Sequence, residues 1–195
     1  MGIYRTKTAQ FKQSAERLLF GKKDDYLLAP IDICLFEQTA NGATFIQSNT
    51  SGQFKGVEVR GTGNMKIGVI SEYFEPSALP VNPIVKITPA PDFSLSPPLE
   101  SFNSIDPRQV RKDDEVVFII DKVQVTGKVQ NPTPTQLPFI QPSFQVDAYE
   151  VKFEQRLIDS VHGARVFYPK TEKILGMLIG SQGTNAIVYP AHLIK

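Results

Sequence analysis

The chain has 195 residues, of which 41% are hydrophobic, enough to fill the core of one domain or of two small ones. Twenty-one Lys and Arg stand against 20 Asp and Glu, a net charge of +1; phosphate binding needs a concentrated basic face, so no nucleic-acid partner is implied. A single cysteine, Cys34, excludes an internal disulfide, and its neighbours Ile33 and Leu35 mark it as a buried apolar residue.

The N-terminal residues carry no apolar core of signal-peptide length. No later window approaches the ~18 consecutive apolar residues of a membrane span, so the sequence reads as soluble and cytoplasmic. Gly2 and Thr6 satisfy a short myristoylation pattern, but Thr6 is equally explained as a helix cap. Residues 7 to 20 have a helical period, with Phe11, Ala15, Leu18 and Leu19 on one face and Lys12, Gln13, Glu16 and Arg17 on the other. Thr6 or Thr8 caps the start and Gly21 stops it. So short a helix is marginal alone and must dock its apolar face.

From Tyr26 the period becomes that of strands. The run from Tyr26 to Thr39 is apolar, interrupted by Pro30 and Asp32, and Asn41 followed by Gly42 predicts a hairpin turn into the next apolar run. A second hairpin joins residues 53–61 to residues 66–74 across Gly61 and Gly63. Partial alternation of Phe54, Val57 and Val59 with Lys55, Glu58 and Arg60 is that of half-buried strands, and these runs are expected to form a first sheet.

Twelve of the 15 prolines lie between Pro76 and Pro142. Proline cannot donate to a sheet ladder, so residues 77–102 and 131–144 are expected to be extended connections or edge strands, anchored by Ile84, Val85, Ile87, Phe93, Leu95 and Leu99. Residues 111–131 form a hairpin pattern, out through Val116 to Ile120 and back through Val123, Val125 and Val129. The next strand carries Val146, Ala148, Val151 and Phe153; its mixed parity predicts a bulge or twist. Three further runs close the chain, VFY, ILGMLIG and AIVYPAHLI, with a turn at His162, Gly163 and Ala164 ahead of the first. One short helix and about nine or ten strands, with no fixed repeat, make an all-β sandwich or barrel.

Over residues 110 to 195 the order of these parts resembles the trypsin-like (chymotrypsin-fold) serine proteases. Asp114, Glu115 and Val116 correspond to the family's turn into a valine-rich strand, and Thr126, Gly127 and Val129 to the return. Residues 160 to 166 fall in register with Gly-Asp-Ser-Gly-x-x-Val, ILGMLIGS with the strand after the nucleophile loop, and AIVYPAHLI with the closing strand and short terminal helix. The resemblance implies an all-β, chymotrypsin-like double β-barrel, its second barrel better supported than its first, preceded by the N-terminal helix. It also implies a division into a helical segment 1–28, a first β unit 29–109 with the proline-rich connection, and a second barrel 110–195.

The same register puts His162 where the family has its nucleophilic serine, Val161 at its aspartate and Ser160 at its first glycine. No histidine precedes residue 162, so the first half cannot supply the base that takes the serine's proton. Asp32 resembles the family's first-barrel aspartate but has no histidine to orient, and reads as a turn cap. The implied function is a non-catalytic pseudoprotease module for protein recognition or scaffolding.

Two alternatives stay open. An atypical hydrolase would use Ser160 or Cys34 as nucleophile; residues 160 and 162 point to the same side of an extended strand, which permits a contact between Ser160 and His162, although His162 reads as well as a turn residue bonding nearby backbone. A structural subunit of a viral or other assembly would use the proline-rich arms and the N-terminal helix to reach neighbours. Tyr73, Phe74, Phe139 and Phe144 border proline-rich loops and are candidates for a recognition patch, with filling between loop and sheet as the plainer role. Two histidines and one distant cysteine offer no metal-ligand spacing, and the glycine turns at 61–64 and 180–185 lack a nucleotide loop's lysine and helix, so no metal or cofactor is expected.

Overall fold

The computed structural model describes residues 21–23, 26–30, 36–39, 42–45, 56, 58–60, 66–72, 82–93, 103–120, 122–139, 141–157 and 161–194. Over these the chain is almost wholly strand. The first half holds β1 (Gly21–Lys23), β2 (Tyr26–Pro30), β3 (Phe36–Thr39), β4 (Gly42–Phe45), β5 (Glu58–Arg60), β6 (Lys66–Glu72) and β7 (Ile84–Pro89). The second holds β8 (Glu115–Ile120), β9 (Val123–Val129), β10 (Thr135–Phe139), β11 (Gln141–Phe153), β12 (Arg165–Phe167), β13 (Ile174–Gln182) and β14 (Asn185–Pro190), then a 3-10 turn at Ala191–Leu193. The expected N-terminal helix lies outside the described residues.

In the first half β1, β2, β7, β6 and β5 form one antiparallel sheet in that order, while β3 and β4, among the described residues, pair with each other. The hairpin expected near Asn41 is present, with Thr39 opposite Gly42. The expectation that the proline-rich region is connection or sheet edge fails at β7, which sits in the middle of the sheet between β2 and β6. Pro83 precedes this strand and Pro89 ends it, and Ile84 to Thr88 between them keep every N–H, so both ladders can form. On the sheet's outer side Lys86 pairs with Glu72 at 2.9 Å and holds its ammonium 5.5 Å from the centre of the Tyr26 ring.

The second half closes. β8 pairs with β9 and β12, β12 with β13, β13 with β14, β14 with β11, and β11 returns to β9, which makes a six-stranded antiparallel barrel. β10 adds to β11 outside this ring, and its Pro138 is the edge-strand proline that the sequence predicts.

Two apolar clusters explain the arrangement. The barrel interior is filled by Val116, Phe118, Val125, Val129, Tyr149, Val151, Phe153, Val166, Leu175, Leu178, Ala186 and Val188. Phe118 and Phe153 meet edge to face there, with ring centres 5.0 Å apart. The other cluster joins the halves: Leu27, Leu28, Ile67, Ile70, Val85 and Ile87 of the sheet pack with Val146, Ala148, Met177, Ile179, Tyr189 and Ile194 of the barrel's outer wall.

Burial on both faces accounts for the mixed parity of β11 from Val146 to Phe153. Its odd residues from Tyr149 to Phe153 face the barrel interior and its even residues Val146 and Ala148 face the first sheet, while pairing with β14 runs unbroken from Tyr149 to Lys152. A strand buried on both faces reads as apolar in both parities. The register shift on β11 lies earlier, where β10 passes from Pro138 to Phe139.

Candidate functional site

The residues between β11 and β12 are fastened along the β13–β14 hairpin. The Phe153 amide donates to the Thr184 carbonyl and the Leu157 amide to the Gly183 carbonyl, both at 2.8 Å. Further on, the Gly163 amide donates to the Leu178 carbonyl at 2.7 Å, and the Leu178 amide returns a bond to the Ala164 carbonyl at 2.9 Å. Leu157 and Val161 turn their side chains into the barrel cluster, which anchors the connection from inside. Gly163 has a φ of 97°, in the left-handed region that glycine enters without steric cost. That turn lets the chain reverse immediately before β12.

His162 sits in this turn with only 7% of its surface exposed, the one buried polar residue of the core among the described residues. Its Nε2 lies 3.2 Å from the hydroxyl of Ser181 on β13. The ring can donate to the hydroxyl oxygen or accept its proton, according to tautomer. A side-chain partner on the neighbouring strand thus holds His162 through Nε2.

A serine hydroxyl within hydrogen-bond reach of an imidazole is one part of a nucleophile and base pair. Acyl transfer also needs free N–H groups aimed at a developing oxyanion. The Gly163 amide is committed to Leu178 and the Ala164 amide donates to the Val161 carbonyl at 3.0 Å, so neither serves that role. Next to the turn, burial holds the Arg165 guanidinium below its ordinary pKa. His192, the other histidine, is exposed on the C-terminal 3-10 turn, and its partial burial lowers its pKa from the usual histidine value.

Just past the far end of β12, Tyr168 donates at 3.0 Å to the carboxylate of Asp114, which stands just ahead of β8, and that carboxylate also accepts the Arg111 amide at 2.8 Å. Burial and the neighbouring carboxylate raise the Tyr168 pKa above the ordinary tyrosine value. Tyr149, fully buried in the barrel, has a hydroxyl with no hydrogen-bond partner among the described residues, and burial pushes its pKa up to about 12.

Of the residues singled out in the sequence, Ser160, Asp32, Cys34, Tyr73 and Phe74 lie outside the described residues. Phe139 ends β10, and Phe144 lies in β11. Among the described residues no group of three His, Cys, Asp or Glu could hold a metal ion, and no helix is long and apolar enough to cross a membrane. Ser181 was not a sequence candidate. Its only signal is a hydroxyl following the apolar run of β13, and its partner is 19 residues away.

No protein-family model matches the chain, and no curated protein matches it. Among solved structures, it is similar to Rv3671c from M. tuberculosis H37Rv, crystallised as a serine-to-alanine mutant in its inactive form. The likeness covers 97% of this chain and 87% of that one, with a TM-score of 0.53 and 14% sequence identity. The fold is chymotrypsin-like. At this identity the likeness carries the fold and no activity. It extends the likeness in fold, which the sequence suggests over residues 110 to 195, to nearly the whole length of the chain.

Proposed function

We propose that this chymotrypsin-like chain is a non-catalytic module, a pseudoprotease that recognises or scaffolds another protein. The observation that carries the reading is the state of His162. The sequence register assigns it the nucleophile's position, and there the imidazole is buried and bonded to Ser181. Both histidines of the chain, His162 and His192, belong to its second half, which leaves the first without a base for a triad. The division into 1–28, 29–109 and 110–195 is part of this proposal.

The partner is a protein or a further copy of the chain. A net charge of +1 gives no reason to favour nucleic acid, and a single cysteine suits the reducing cytoplasm. Tyr73, Phe74, Phe139 and Phe144 are the proposed contacts. Incubation with peptide and activated-ester substrates tests the reading: no turnover above the buffer rate is expected, and turnover abolished by Ser160→Ala or Ser181→Ala would overturn it.

One observation favours a second reading, an atypical serine hydrolase. Ser181 and His162 stand at 3.2 Å, within the range of a nucleophile and its base. This reading requires that turnover be lost equally in Ser181→Ala and His162→Gln. A loss in neither removes it.

A further inference from the structure

We draw no further inference here: the strongest candidate, the exposed apolar tip of the β8–β9 hairpin at Ile119 and Val123, carries nothing because nothing in the structure shows what covers it.

Discussion

The imidazole of His162, in the turn before β12, is bonded to the hydroxyl of Ser181 on β13 at 3.2 Å. The contact ties the turn before β12 to the wall of the barrel through side chains, beside the backbone bonds of Gly163 and Leu178. Its energetic weight can be measured. His162→Ala should destabilise the protein by on the order of 2 kcal/mol, because a buried ring and its hydrogen bond are both lost. Ser181→Ala should cost about 1 kcal/mol, and the double variant should show a coupling of about 1 kcal/mol in urea unfolding. Strict additivity would mean that the contact contributes nothing.

Tyr149 makes the opposite case. Its hydroxyl is buried in the barrel and has no partner among the described residues, so Tyr149→Phe should leave stability at pH 7 unchanged or raise it by up to about 1 kcal/mol. A loss above about 1 kcal/mol would show that the hydroxyl is bonded.

The same residue sets a pH dependence. Its folded pKa of about 12 exceeds the ordinary tyrosine value of 10.0, so between them the folded state keeps a proton that the unfolded chain releases. Stability therefore falls as pH rises from about 10 to 12, and Tyr168 and Tyr189, raised in the same direction, add to the fall. Urea unfolding at pH 8 and pH 11 should show the wild type losing more stability than Tyr149→Phe. Equal losses would place the Tyr149 hydroxyl in water.

Close packing at β13 gives a sharper test of the barrel. A Cβ on Gly176 would lie 2.0 Å from the Tyr189 carbonyl oxygen of the paired strand, and a backbone atom cannot yield cheaply. Gly176→Ala should destabilise by about 3 kcal/mol or prevent folding. At Gly56, φ is 84° and nothing stands within 4 Å of an added Cβ, so Gly56→Ala should cost only the about 1–2 kcal/mol of left-handed backbone strain. Thermal melts of the pair separate a true steric site from general glycine effects.

The halves should not be separable. Val146, Ala148, Met177, Ile179, Tyr189 and Ile194 on the barrel's outer wall are buried with residues of the first sheet, so residues 103–195 expressed alone would bare a continuous apolar face. Aggregation, or dye binding without a cooperative melt, is expected of that fragment. A soluble, cooperatively melting fragment would show that the barrel folds without the sheet.

Local signals carried far in the sequence and non-local ones did not. The Asn41 turn, the Val116 to Val129 hairpin and the order of the last three strands were legible because turn chemistry and apolar alternation act within a few residues. Proline density over a long window hides β7, because a ladder depends on the five residues from Ile84 to Thr88 that keep their donors. The mixed parity of β11 has two sources, a register shift opposite β10 and burial on both faces, which erases the period of two. His162 was legible as a special residue, but its partner was not. Only closure of the barrel wall brings Ser181 beside it.

The central claim concerns chemistry, and intact mass after exposure to a fluorophosphonate probe tests it most directly. A reactive serine displaces fluoride and gains the phosphonyl group, a fixed increase in mass. The account predicts an unmodified chain at a probe excess that fully labels an active serine protease. A stoichiometric adduct on Ser160 or Ser181, lost on substitution of that serine by alanine, would contradict it.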